Sequence, residues 1–165
     1  YPDFRAYEQA FTMMSQVSGR AGRKGKRGLV ILQTKSAELP VIGQVVRNDC
    51  EGFYKDLLEE RRDFRYPPFF HLIYIYMKHR DDRVVNTAAI EMGSRLRYFF
   101  GERVLGPDKP AVARVKQMNI RKIVLKLENG LDRKKTRECL RQVQKELLQD
   151  SRYGALQVYY DVDPL

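Results

Sequence analysis

Tryptophan is absent, and cysteine and histidine occur only twice each in 165 residues. Each scarcity removes a class of protein. Cys50 and Cys139 are far apart and outside any CxxC pattern, which argues for a reducing compartment and against both a disulfide framework and a local zinc site. His71 and His79 have no ligand spacing, so core or surface roles are assigned to both. No apolar run approaches the roughly 20 residues of a membrane span, and no signal peptide is visible, so no membrane partner is expected. A Walker A loop, GxxxxGK[ST], is missing: Gly25-Lys26 is followed by Arg27, and Arg20 stands where the motif needs its first glycine. No strand ends in a DExx pattern either. The chain opens on Tyr1-Pro2-Asp3 without an initiator methionine, which leads us to expect a piece of a longer protein.

Negative charge is in the minority. With 31 Lys and Arg against 21 Asp and Glu the net charge is +10, and a polyanionic partner is favoured over a merely solvated basic surface. Hydrophobic residues at 43% suffice for a core, in about one domain or one domain with part of another.

The densest cationic stretch is Gln16-Val17-Ser18-Gly19-Arg20-Ala21-Gly22-Arg23, followed by Lys24-Gly25-Lys26-Arg27-Gly28. Glycine every third residue allows close approach of backbone to a ligand. If the amphipathic helix read over residues 5–18 continues into it, Gln16, Arg20 and Arg23 share one side. Tyr7, Ala10, Phe11, Met14, Val17 and Ala21 take the other, buried side. Two guanidiniums and a carboxamide held by a packed helix suit recognition of a phosphate, because arginine donates a planar fork and keeps its charge. Gly19 and Gly22 argue that the arginines sit on a last, fraying turn or on a loop. Lys24, Lys26 and Arg27 fit either phosphate contacts or a solvated loop tip.

Gly28 to Thr34 then reads as a short buried strand. Pro40 starts a short helix and Asp49 caps the next, in which positions 53, 54, 57 and 58 are apolar and Glu59, Glu60, Arg61 and Arg62 form a solvated face of short-range ion pairs. Tyr66-Pro67-Pro68 forces an extended path, and the domain boundary is placed there. Beyond it, Phe69 to Met77 reads as a strand. Asp81 or Asp82 caps a helix ended by Gly101, and Val104 to Pro107 forms a short segment. Val112 to Lys116 and Ile120 to Leu127 read as two strands joined through Gln117-Met118-Asn119. Asp132 caps a second helix, and Leu156 to Val162 is the last strand. Strand, helix, strand, strand, helix, strand is the split βαβ (βαββαβ) arrangement, α+β with both helices on one face of a sheet.

In this second region Arg114 and Lys116 share a strand face, Arg121 and Lys122 follow the turn, and Arg133, Lys134, Lys135 and Arg137 open the second helix. Together they read as one cationic edge, with Tyr98 and Phe99 nearby in sequence, suited to phosphate contact and base stacking on a single strand. Cations in a first helical turn oppose the macrodipole, so a helix-stabilising role for them is unnatural. Asp161 and Asp163 are assigned a structural or lobe-contacting role rather than a catalytic or metal-binding one. Tyr74, Tyr76, Tyr159 and Tyr160 are assigned to packing in preference to a base-stacking platform, with Tyr159 and Tyr160 on opposite faces.

The string QVSGRAGRKGKRGLVILQT resembles motif VI of superfamily-2 helicases and the strand that follows it. With Pro2-Asp3-Phe4-Arg5-Ala6 upstream, Phe53-Tyr54, Glu59, Arg61-Arg62 and Tyr66-Pro67-Pro68-Phe69 in the middle, and Asp161-Val162-Asp163-Pro164 at the end, the chain resembles the PriA (primosomal protein N′) family of bacterial replication-restart helicases. The resemblance implies an α/β tail of a RecA-like lobe over residues 1–50, a linker helix and YPPF connector over 51–68, and a small α+β C-terminal domain over 69–165. It also implies that Gln16, Gly19, Arg20, Gly22 and Arg23 meet ATP and its Mg²⁺ held on another lobe, with Arg20 and Arg23 acting on the γ-phosphate. The fragment by itself would be inactive, and the family's zinc module lies elsewhere. Forked and single-stranded DNA, single-strand-binding protein with its acidic tail, and other primosome proteins are the implied partners, in the bacterial cytoplasm at nucleoid-associated forks. A non-enzymatic, ribosomal-protein-like nucleic-acid-binding module and a protein-interaction adaptor are the alternatives.

Overall fold

A computed structural model describes residues 3–22, 25 and 28–164. The chain divides into Tyr1–Phe64 and Arg65–Leu165.

Among the described residues the N-terminal unit holds three helices: α1 (Ala6–Arg20), α2 (Pro40–Val46) and α3 (Cys50–Asp63). Pro40 occupies the first turn of α2, where its missing N–H costs nothing. The Asp49 carboxylate accepts the Gly52 N–H at 2.9 Å and so caps α3. Phe11 of α1 stacks on Phe53 of α3 with ring centroids 4.0 Å apart. Val41, Val45 and Leu57 complete this small core. α3 therefore packs on the other helices of this unit through Phe53 and Leu57. On its charged face Glu59, Glu60 and Arg62 are exposed, and Arg61 alone is drawn in, pairing with Glu8 of α1 and lying over the Phe4 ring.

Two further expectations fail here. The apolar side of α1 is only partly buried, with Tyr7 and Val17 exposed. Residues 28–34 form no strand, and Leu29 and Ile31 are 84% and 81% exposed. A buried strand needs ladder partners for its amides, and no described residue of this unit is in a strand.

The C-terminal unit is built on β1 (Phe70–His79), β2 (Val104–Asp108), β3 (Arg114–Val115), β4 (Met118–Glu128) and β5 (Gln157–Val162), with α4 (Asp82–Phe100) and α5 (Arg133–Leu147). The sheet order is β2-β4-β1-β5, every neighbouring pair antiparallel, and β3 adds a short hairpin arm to β4. Alternation sends Ile73, Ile75, Met77, Ile123, Leu125 and Leu127 to one face. There they meet Val85, Ala88, Met92 and Leu96 of α4 and Leu140, Val143 and Leu147 of α5 in a single core. Both helices thus cover the same face, in the split βαβ order.

The second strand of that order is β2, not residues 112–116 as the sequence suggests. β2 lies at the sheet edge, where Pro107 leaves no ladder bond unmade. Gly106 has φ +92°, and a Cβ there would stand 2.9 Å from the Lys122 carbonyl oxygen, so only glycine passes. The β3–β4 turn is Lys116-Gln117, both at positive φ, and Met118 and Asn119 already belong to the strand.

Candidate functional site

α1 ends where the glycines begin. Arg20 is its last residue, and Gln16 lies one turn earlier on the same exposed side. Gly19 is open around its Cα, and Gly22 adopts φ +103°, a conformation that turns the chain off the helix axis. The chain then returns so closely that a Cβ on Gly28 would fall 2.5 Å from the Gly22 nitrogen. Arg23, Lys24, Lys26 and Arg27 lie outside the described residues. The described part thus presents one guanidinium and one carboxamide beside the close approach of Gly22 and Gly28.

In the C-terminal unit the cations predicted to share one edge are separated. Arg114 pairs in register with Asn119 at the start of β4, and Lys116 sits on the adjoining turn. Arg133 instead reaches His71, which pairs with Leu127, about 25 Å further along β4 at roughly 3.3 Å per residue. Arg121 is not on the surface at all: it is 4% exposed, donates to Asp82 at 2.8 Å and to Asn86 at 3.3 Å, and ties β4 to the start of α4. A buried guanidinium must be paired, and here Asp82 and Asn86 of α4 are joined by the Ile120 carbonyl at 3.1 Å. Lys122 points to the face of the sheet away from the helices.

The start of α5 gathers a network of polar contacts. The Asp132 carboxylate accepts the N–H groups of Lys134 and Lys135 at 2.9 and 3.2 Å, so a fixed anion satisfies the helix start that its four cations oppose. Arg133 donates to Nε2 of His71 at 3.1 Å. A guanidinium can only donate, so Nε2 accepts and the ring proton sits on Nδ1, directed at the Asp163 carboxylate 3.1 Å away. Asp163 also accepts the Leu72 N–H, and its own N–H donates to the Leu72 carbonyl. This fastens the end of β5 to β1, which is a structural role.

Beside this relay lies a cleft of about 360 Å³ floored by Ile73, Leu127 and Leu140, with Arg133, Arg137 and Arg141 along its α5 side. Lys134 and Lys135 are exposed outside it. Arg141 escapes the sequence reading, although its i+4 spacing from Arg137 was the available signal. Among the described residues no group of His, Cys, Asp and Glu is placed to hold a metal ion, and no helix is long and apolar enough to cross a membrane.

The tyrosines divide by strand register. Tyr160 faces the helices, where its hydroxyl donates to Gln144 at 2.7 Å and burial pushes its pKa up to about 12. Tyr74, Tyr76 and Tyr159 take the opposite face.

Residues 62–165 match the family model of the primosomal protein N C-terminal domain. The replication restart protein PriA of Treponema pallidum is 35% identical over 99% of this chain and 24% of its own length. The proteins of the same name from Bacillus subtilis and Thermotoga maritima are 35% and 31% identical, over 70% and 78% of this chain and 14% and 17% of their own lengths. The chain therefore spans about a quarter or less of the relatives it matches.

Proposed function

The chain belongs to the PriA family of replication restart proteins, and from that membership we propose that it is the C-terminal part of an ATP-dependent 3′-to-5′ DNA helicase that restarts stalled forks and begins primosome assembly. Residues 1–50 are then the tail of the second RecA-like lobe, and the C-terminal unit is a module that binds DNA and protein partners. The observation that carries the reading is the end of α1, where Gln16 and Arg20 stand exposed one turn apart beside the close approach of Gly22 and Gly28.

ATP with Mg²⁺, held on another lobe, would supply a γ-phosphate whose leaving needs a cation to stabilise its charge. Arg20, with Arg23, offers a cation from a second body that stabilises this charge and senses which nucleotide is present. Gln16 orients the same group by hydrogen bonding. Gly19 and Gly22 let backbone approach. This chain contributes one wall of the site, and without Walker A and DExx elements it turns over no ATP alone.

In the complete protein, Arg20→Ala or Arg23→Ala lowers DNA-stimulated ATPase at least about tenfold while nucleotide still binds. Unchanged turnover in both variants refutes the helicase assignment.

The α5 cleft supports a second partner, single-strand-binding protein. Its apolar floor and arginine side suit an acidic peptide tail, and Arg133→Glu should weaken that peptide. A purely nucleic-acid-binding, non-enzymatic module is favoured only by the basic split βαβ unit itself. It predicts full biological activity of the complete protein after loss of Arg20.

A further inference from the structure

The sheet face that the helices leave uncovered has a composition unlike a solvated surface. Across β4, β1 and β5 the register aligns Lys122, Tyr76 and Tyr159 in one row, and Val124, Tyr74 and Asp161 in the next. Tyr76 and Tyr159 stack with centroids 5.0 Å apart and planes 14° from parallel. Tyr74 meets Tyr76 edge to face at 6.3 Å. The ammonium of Lys122 lies 3.5 Å from the Tyr74 ring centre and that of Lys78 4.8 Å from the Tyr159 ring centre. One row further, opposite Leu72, Lys126 sits 3.8 Å over Tyr66. Tyr159 is 40% exposed.

Tyr74, Tyr76 and Tyr159 on an open antiparallel sheet, with ammoniums over Tyr74 and Tyr159 and a third over Tyr66, offer an unpaired strand both aromatic surface and cations. Bases have π faces that stack on rings once the flexible lysine side chains swing from the ring faces to the phosphates between the bases. Duplex DNA does not fit, because its bases are already stacked on each other and a broad sheet face does not enter its grooves. Burial pushes the Lys122 and Lys126 ammoniums below their ordinary range, a cost that a bound phosphate would relieve. Asp161, beside Tyr74, is the carboxylate within this row and pulls Lys122 the other way.

We infer that this face, with Tyr74, Tyr76 and Tyr159 as stacking platform and Lys78, Lys122 and Lys126 as phosphate contacts, binds single-stranded DNA. The inference rests on the DNA-partner part of the function proposed above and assigns a surface to it that is separate from the α5 cleft.

The test measures anisotropy of a fluorescein-labelled oligothymidylate of about 16 nucleotides with the whole chain. Tyr159→Ala should weaken binding roughly tenfold, and Tyr159→Phe, which keeps the ring, should leave it within about twofold. Lys78→Ala should reduce the slope of log K against log salt by about 0.7. Circular dichroism melts confirm that each variant is folded, and Tyr76→Leu, which keeps apolar bulk, repeats the test if Tyr159→Ala is not. Unchanged affinity in folded Tyr159→Ala and Tyr76→Leu overturns the inference. So does an equal loss of duplex binding, or tighter binding of oligouridylate than of oligothymidylate. If the tyrosine variants bind normally while Arg137→Glu abolishes binding, the DNA partner stands and the sheet face is rejected. If the unsubstituted chain fails to bind at about 50 mM salt, both fall.

Discussion

The N-terminal unit and the C-terminal unit bury apolar surface in different ways. In the first, helices meet around one aromatic stack, Phe11 on Phe53, and large apolar side chains such as Leu29 and Ile31 remain in solvent. In the second, two helices and four long-range strand partners enclose Ile75, Met77, Met92, Leu96, Ile123 and Leu125 with no measurable exposure. Strand pairing recruits neighbours distant in sequence, and each added strand covers the flank of the one before. A unit without a sheet has only helix stripes to cover one another, so a strand-like run there has nowhere to go.

The largest expected effect separates the two units. Leu125→Ala, at a fully buried position, should cost about 2–5 kcal/mol in urea denaturation, whereas Ile31→Ser should change stability by no more than about 0.5 kcal/mol. Comparable losses from both would show that residues 28–34 are covered in solution, and the contrast between the units would collapse.

A smaller effect concerns alkaline pH. Tyr160 is folded as the neutral phenol, and burial lifts its pKa from 10.0 to about 12. The unfolded chain loses this proton first, so the contribution is complete below pH 10 and disappears as pH rises toward 12. The loss should be on the order of 2 kcal/mol by linkage. Urea midpoints for Tyr160→Phe should lack that part of the alkaline decline; an unchanged slope would remove Tyr160 from the account.

The smallest is the cap. Asp132→Ala should lower the stability of the C-terminal unit by about 1 kcal/mol. Because Arg133, Lys134, Lys135 and Arg137 follow it, the loss should be greater than for Asp49→Ala in the N-terminal unit, where Glu51 rather than a cation occupies the first turn. Equal losses would mean that solvent screens the α5 cations.

Much of the C-terminal fold was legible because its signals are local. Asp81 and Asp132 announce helix starts, glycine at 101 ends α4, and the apolar runs of β1 and β4 are long enough to be unmistakable. The identity of the second strand was not legible, since β2 is short, broken by Gly106-Pro107 and placed by its pairing with Val124 and Leu125 rather than by any pattern of its own. The candidate sites divide in the same manner. The GRxGR string and the arginines of α5 stand out by spacing. Arg121 looks the same as its neighbours in sequence, yet one strand position separates it, buried on Asp82, from Lys122 on the open face.

The sequence alone determined which residues carry fixed charge, where helices begin, and the GRxGR and DVDP strings on which the resemblance to the PriA family rests, because these depend on residue type and near-neighbour spacing. Tertiary structure alone decided which tyrosines share a surface, which arginines are withdrawn into ion pairs, and that the predicted cationic edge is two separate places. The physical reason is register. Strand alternation fixes that neighbours face opposite ways, but only cross-strand pairing and the position of the helices decide which face is covered.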